Sequence, residues 1–213
     1  MDLWPSAFLA MSDDQLFRWI LLAGIVVVLP IGIYHRLAAR TGERIDRWQE
    51  GWAILFPLRI LGLAGIAAVL VFAINPRWMA WSSLPLPTWL RWVGMGVGVL
   101  FAGLLVWTLR NLGKNLTDTV VTRERHTLVT AGPYRWVRHP FYVAFALAVV
   151  ANALTTANWF VLATGIAAWT LIAIRTPLEE AKLIERFGDE YRRYCDRTGR
   201  FFPRLISRPP THG

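Results

Sequence analysis

The stretch "PFYVAFALAVVANALTTANWFVLATGIAAWTLIAI", residues 140–174, decides the fold. It contains two strongly apolar runs, at residues 140–155 and 159–174, and only Thr, Ala and Asn lie between them. Two apolar runs with so short a polar connection are typical of a pair of antiparallel helices. The stretch therefore predicts a helical hairpin.

Three further apolar runs precede this hairpin, at residues 17–37, 52–74 and 89–109. Each has about the 20 residues that a helix needs to cross roughly 30 Å of hydrocarbon. The chain of 213 residues is 55% hydrophobic and only 17% charged, which excludes an ordinary soluble domain. We predict an all-α, multi-pass membrane protein with about five transmembrane helices. Residues 1–110 would form a three-helix scaffold, and residues 111–213 would carry the function.

The positive charges alternate along the predicted loops. Lys and Arg number four in residues 36–47, two in residues 77–91, six in residues 110–138 and nine from Arg175 onward, whereas residues 155–158 contain none. By the positive-inside rule, the N-terminus lies outside and the two large basic segments are cytoplasmic. The net charge of +9 then reflects topology and attraction to anionic lipid headgroups, so nucleic-acid binding is not expected. The acidic residues before the first run argue against a cleaved secretory signal.

Three polar and aromatic segments fall on the predicted cytoplasmic side, at residues 126–134, 138–142 and 175–194. Pro140 suits the first turn of the fourth predicted helix, where its missing N–H costs nothing. A helix N-terminus of this kind attracts anionic groups such as a carboxylate. His126 and His139 lack the cysteines or spaced carboxylates of a metal site, so hydrogen-bonding roles are favoured and no metal is expected.

The third segment contains the spacing of a helix-capping box. Thr176 can be the N-cap, Pro177 the first helical residue and Glu179 the third, and this predicts an amphipathic helix that opens there and runs to about residue 195. Gly188 can end or bend that helix. Capping is one explanation for Glu179, and a role in a site is the other.

The remaining charges of these segments receive different interpretations. Glu180 has no capping role, and Arg175 would lie beside the N-terminus of the fourth helix if the hairpin is tight. Arg135 and Arg138 are interpreted mainly as topology markers. The arginines after residue 190 are interpreted as facing the lipid headgroups.

The order of "HTLVTAGPYRWVRHPFY", a helical hairpin, "RTPLEEAKLIERFGDEYRRY" and "FFP" resembles the isoprenylcysteine carboxyl methyltransferase family and, more distantly, membrane phospholipid methyltransferases. The resemblance covers about residues 111–203. It implies an integral membrane enzyme, located in the inner membrane if bacterial and in the endoplasmic reticulum if eukaryotic. Such an enzyme transfers a methyl group from cytoplasmic S-adenosylmethionine to a lipophilic or lipidated substrate, such as the carboxylate of a prenylated cysteine.

By matching motif positions, the resemblance implies a cofactor site drawn from all three segments. Its residues would be His126, Thr127, Leu128, Val129, Tyr134, His139, Pro140, Phe141, Tyr142 and Glu179. Arg175 would bind the substrate carboxylate, and Arg175 and Glu179 are the catalytic candidates. Elementary chemistry agrees, because a sulfonium cation suits the ring faces of Tyr134 and Tyr142.

Three other functions stay open. A phospholipid amine or another small hydrophobic nucleophile could be the acceptor, and an amine would have to lose a proton before attack, which favours a nearby carboxylate such as Glu180. The others are an NADPH-dependent membrane reductase of similar fold and a non-enzymatic membrane scaffold or small transporter. The sequence departs from the family pattern at Ala144, where a glycine is usual, and at Pro177 and Leu178, where acidic residues often occur. These departures leave the substrate open.

Overall fold

The structure, a computed structural model, describes residues 12–38, 52–112 and 128–204. Within these ranges lie six α-helices, namely α1 (Asp13–Ala38), α2 (Trp52–Ile74), α3 (Thr88–Leu112), α4 (Pro140–Thr156), α5 (Trp159–Phe187) and α6 (Asp189–Arg197). Short 3₁₀ helices occupy Pro76–Ser82 and Gly132–Arg135. Within the described ranges, extended pairing is limited to two isolated bridges, so the all-α prediction is confirmed.

Four of these helices contain segments long and apolar enough to cross a membrane, namely Asp13–His35, Ile54–Ile74, Thr88–Leu112 and Trp159–Phe187. The fourth predicted run forms α4, which has only 17 residues. At 1.5 Å per residue it is about 25 Å long, which is less than the roughly 30 Å of a hydrocarbon core. The chain is a multi-pass membrane protein in which all five apolar runs are helical and one is shorter than the others.

The bundle is built around α4, which packs along α3 on one side and against α5 on the other, while α2 packs on α5. Glycines permit these approaches. A Cβ added at Gly94 of α3 would lie 2.7 Å from Leu154 Cβ, and one added at Gly165 of α5 would lie 2.3 Å from Val149 Cγ1. At these points α3 and α4, and likewise α4 and α5, are closer together than any residue larger than glycine would allow.

A buried arginine connects α1 to this core. Arg91, which is 5% exposed, donates from Nε to the Thr155 carbonyl at 3.0 Å and from Nη1 to Asp14 Oδ1 at 2.8 Å. Its guanidinium also lies 4.2 Å from the centre of the Phe17 ring. A charge inside a membrane bundle is tolerated when it is paired in this way.

The predicted hairpin is formed by α4 and α5, and its connection explains how tight it is. Ala157 adopts a left-handed conformation with φ 48°, and Asn158 caps α5 by accepting hydrogen bonds from the N–H groups of Phe160 and Val161 at 3.0 and 3.1 Å. Asn158 also donates to Ser82 Oγ at 2.7 Å. The N-terminus of α4 is thereby brought beside the C-terminal half of α5.

The helix predicted to open at Thr176 does not begin there, because α5 runs without a break through Pro177 to Phe187. Thr176 is fully buried, and its hydroxyl donates to the Ile172 carbonyl one turn earlier at 2.8 Å instead of capping a new helix. The capping box is therefore wrong. Gly188, with φ 53°, does end the helix, and α6 follows it as a separate element.

After α6 the chain returns across the N-terminus of α4, and we call residues 198–201 the C-terminal strap. The N–H of Arg138 donates to the Gly199 carbonyl at 2.8 Å, and the N–H of His139 donates to the Arg200 carbonyl at 3.1 Å. In return, the N–H of Gly199 donates to the Trp136 carbonyl at 3.2 Å. Three backbone hydrogen bonds therefore hold the strap against the residues that lead into α4.

Candidate active site

The site forms where the 3₁₀ turn Gly132–Arg135, the start of α4 and the last third of α5 meet. Gly132 has φ 61°, and a Cβ at this position would lie 2.4 Å from Asn111 Cγ, so the turn fits closely onto the end of α3. The rings of Trp107 and Trp136, 5.7 Å apart, form a second contact between the two elements. This seating directs Tyr134 into the interior, where it is 9% exposed.

A tyrosine on α4 bridges two charged residues on α5. The Tyr142 hydroxyl donates to Glu179 Oε2 at 2.7 Å and accepts from Arg175 Nη2 at 3.1 Å. Because α5 continues through Pro177, Arg175 and Glu179 are four residues apart on one helix face. The uninterrupted helix thus removes the capping explanation for Glu179 and sets both charges against the same phenol.

The His139 ring stacks on Tyr142, with centroids 5.3 Å apart and planes 5° from parallel. Its Nδ1 lies 3.9 Å from Glu179 Oε1, and its Nε2 lies 3.3 Å from Glu180 Oε1. His139 is 6% exposed, whereas the Glu179 side chain is 22% exposed. Of the two carboxylates that flank the histidine, Glu179 is the one that retains access to solvent.

Glu180 is instead enclosed by cations. Arg138 Nε donates to its Oε1 at 2.8 Å, and Arg200 Nε donates to its Oε2 at 3.1 Å. Arg138 Nη1 also donates to the carbonyls of Cys195 and Thr198. Arg138 and Arg200 therefore have a role that the charge pattern did not predict, because both neutralise a buried carboxylate. Arg135, by contrast, lies over the Trp136 ring at 4.4 Å.

Tyr134 completes the group as a neutral phenol. Burial, together with the neighbouring Tyr194 and Glu179, raises the pKa of Tyr134 well above its usual range, so its hydroxyl keeps its proton at neutral pH. The Tyr194 hydroxyl donates to the Tyr134 backbone carbonyl at 2.7 Å. Helix α6 therefore contacts the turn as well as α3 does.

The other predicted site residues are less closely involved. Pro140 is fully buried as the first residue of α4, as expected. Phe141 is 43% exposed, and Leu128 and Val129 lie half-buried in the irregular segment before the turn. The hydrogen bonds and ring contacts described for the cluster include none of these last three. His126 and Thr127 lie outside the described residues.

Comparison with known proteins bears on the same residues. Residues 92–185 match the family model of the isoprenylcysteine carboxyl methyltransferases. This part of the chain, just under half of its length, is similar to that family. The matched range runs from α3 to the end of α5 and contains Tyr134, His139, Tyr142, Arg175 and Glu179, but it stops before the C-terminal strap.

Relatives within and around the family differ in how much of the chain they match. Human protein-S-isoprenylcysteine O-methyltransferase is 32% identical over 120 residues, which are 55% of this chain and 42% of that protein. Methanethiol S-methyltransferase of Pseudomonas deceptionensis is 26% identical over 205 residues, 89% of this chain and 75% of that protein. The chain thus spans less than half the length of the human family member.

The solved structure of the eukaryotic intramembrane Ras methyltransferase ICMT has the same fold over part of its length. It matches with a TM-score of 0.52 and 24% sequence identity, covering 68% of this chain and 51% of that one. At this identity the match establishes the fold alone. The shared fold agrees with the helical arrangement described above.

Two aromatic residues next to the site, Phe201 and Trp169, were not predicted from the sequence. The Phe201 ring lies 6.0 Å from His139 and 5.3 Å from Trp169, measured between centroids. Trp169 Nε1 donates to the Tyr142 carbonyl at 3.3 Å. For Phe201 the only signal was the "FFP" of the family pattern, and Trp169 is placed by the pairing of α4 with α5, which local sequence does not reveal.

Proposed function

We propose that this chain transfers a methyl group from S-adenosylmethionine to the carboxylate of a lipophilic acceptor of the prenylated-cysteine class. The observation that carries the proposal is the bridge from Arg175 through Tyr142 to Glu179. It combines a buried guanidinium, an aromatic face and a partly exposed carboxylate at the point where α5 changes from apolar to polar sequence. From the distribution of basic residues, we propose that this end of the bundle faces the cytoplasm.

The donor set suits the cofactor. Stacked rings at His139 and Tyr142, with Tyr134 nearby, offer aromatic faces to a sulfonium cation. The exposed part of Glu179 can accept hydrogen bonds from an ammonium or from ribose hydroxyls. When bound, S-adenosylmethionine supplies an activated methyl group whose leaving group is a neutral thioether.

In this proposal Arg175 binds and orients the acceptor carboxylate, and the Tyr142 hydroxyl holds Arg175 and Glu179 at a fixed separation. A carboxylate is already ionised at pH 7, so it attacks without a general base. The protein then contributes positioning and the exclusion of water. In agreement, both oxygens of Glu180 are occupied by arginine and histidine partners, so this carboxylate is poorly suited to accept a proton.

A small thiol is the second candidate acceptor, and the observation in its favour is the extent of the match to the Pseudomonas enzyme. That match covers 89% of this chain, whereas the match to the human enzyme covers 55%. A thiol reacts as its thiolate and must lose a proton before or during attack. Glu179, which is partly exposed beside Tyr142, is the residue we propose for that proton transfer.

The test is product analysis with purified protein in detergent. The protein is incubated with methyl-labelled S-adenosylmethionine and, separately, with an S-prenylated cysteine, an alkyl thiol and phosphatidylethanolamine. A methyl ester releases its label in mild base, whereas a thioether or an N-methyl group does not. We expect base-labile label on the prenylated cysteine, lost in Arg175→Gln and kept in Arg192→Gln, a matched change on the exposed face of α6. Absence of transfer to every acceptor refutes the proposal.

A further inference from the structure

Glu180 is the most heavily paired carboxylate among the described residues, and the mechanism proposed above does not use it. Its side chain is 9% exposed, and its two oxygens are contacted by three different side chains from two parts of the chain. Arg138 and His139 precede α4, whereas Arg200 belongs to the C-terminal strap. A buried carboxylate with this many partners joins segments that are distant in sequence.

The pairing orients the His139 ring and makes its Nε2 a hydrogen-bond donor. Facing two guanidinium groups, Glu180 is ionised and can only accept hydrogen bonds. His139 Nε2, at 3.3 Å from Glu180 Oε1, therefore carries a hydrogen. The same contact turns Nδ1 toward Glu179 Oε1, at 3.9 Å, which is the proposed cofactor side.

The pairing also holds the strap in place. Arg138 reaches from Glu180 to the carbonyls of Cys195 and Thr198, and Arg200 approaches Glu180 from the strap itself. The next residue, Phe201, thereby lies against His139 and, at 6.5 Å between centroids, near Tyr142. Removing the charge at position 180 would release the histidine and the aromatic residue together.

Resting on the proposed function, we propose that Glu180 is a positioning residue of the cofactor site. With Arg138 and Arg200 it fastens the C-terminal strap and orients the His139 ring against Tyr142. The strap lies beyond the residues that match the family model, so this contact would make a segment outside the matched region necessary for tight cofactor binding. Glu180 itself would not touch the cofactor.

Calorimetric titration of the full-length protein with S-adenosylmethionine tests this, because the titration separates the dissociation constant from the fraction of molecules able to bind. Glu180→Gln keeps the shape of the side chain and removes its charge, and we expect it to raise the dissociation constant about tenfold with the binding fraction unchanged. The Arg200 side chain is 41% exposed, so water screens its ion pair in part, and Arg200→Met should raise the dissociation constant only about threefold. Arg192→Met, at an exposed ion pair on α6, is the control and should leave it unchanged.

The double variant Glu180→Gln with Arg200→Met should bind no more weakly than Glu180→Gln alone, since the two residues act through one contact. A lower binding fraction with an unchanged dissociation constant would show a purely structural role and overturn the inference. If Glu180→Gln fails to fold, an unchanged constant in Arg200→Met overturns it equally. Binding by the wild type with unaffected variants refutes only this inference, whereas no binding by the wild type refutes the proposed function and the inference with it.

Discussion

Removing one hydroxyl group at Tyr142 should weaken cofactor binding without disturbing the fold. Tyr142→Phe keeps the ring that stacks on His139 but deletes the group that donates to Glu179 at 2.7 Å and accepts from Arg175 at 3.1 Å. A hydrogen bond to a charged group contributes about 1.5–3 kcal/mol. Glu179 is 22% exposed, so water replaces part of this, and the lower figure of about 1.5 kcal/mol is appropriate. That corresponds to about a tenfold rise in the dissociation constant.

Isothermal calorimetry with S-adenosylmethionine in detergent measures this directly. Tyr34→Phe is a suitable control, because Tyr34 is 68% exposed on α1, and it should bind as the wild type does. Tyr142→Leu removes the ring as well and should bind more weakly than Tyr142→Phe if the aromatic face contacts the sulfonium. A dissociation constant for Tyr142→Phe within about twofold of the wild type would refute the role assigned to the bridge.

Two further predictions concern stability. Gly94→Ala should lower the free energy of unfolding by about 1–3 kcal/mol, because its Cβ would lie 2.7 Å from Leu154 Cβ. Gly96→Ala, whose Cβ would meet nothing within 4 Å, should leave that free energy unchanged. Thermal unfolding in detergent compares the two variants, and equal midpoints would contradict the close packing of α3 on α4. Burial and the charge of Glu180 raise the pKa of Tyr191 above its usual value of 10.0, so this phenol ionises first in the unfolded chain. The thermal midpoint should therefore fall as the pH rises above about 10, and less steeply in Tyr191→Phe; identical slopes would exclude a contribution from this residue.

Much of the fold could be predicted because membrane helices depend on local composition. All five apolar runs are helical, and the short polar connection at residues 156–158 does form a hairpin. The start of α4 at Pro140 followed from the geometry of proline alone. The error at Thr176 arose because a local capping pattern competed with burial. Thr176 and Glu180 are both buried one turn apart, and packing on that face keeps α5 continuous through Pro177.

The site could be predicted only where its residues are close in sequence or belong to the family pattern. Tyr142, Arg175 and Glu179 were expected together, and the structure joins them. The pairing of Glu180 with Arg138, 42 residues away, and with Arg200, 20 residues away, was not expected. Charge patterns near helix ends favour topology as an explanation, and they contain no information about which distant carboxylate an arginine meets. Arg175 and Glu179 are four residues apart, so a continuous helix places both side chains on one face. The helix boundary predicted at Thr176 hid this relation.

The measurement that tests the central claim most directly is mass spectrometry of the acceptor after incubation with purified protein and methyl-labelled S-adenosylmethionine. The proposed chemistry predicts one added methyl group on the carboxylate of an S-prenylated cysteine, released by mild base and absent from the Arg175→Gln reaction. A methyl group found instead on the sulfur of an alkyl thiol would show that the acceptor is the second candidate, a small thiol, and not a carboxylate. No methyl group on any acceptor, in protein shown to be folded, would contradict the assignment of this site to methyl transfer.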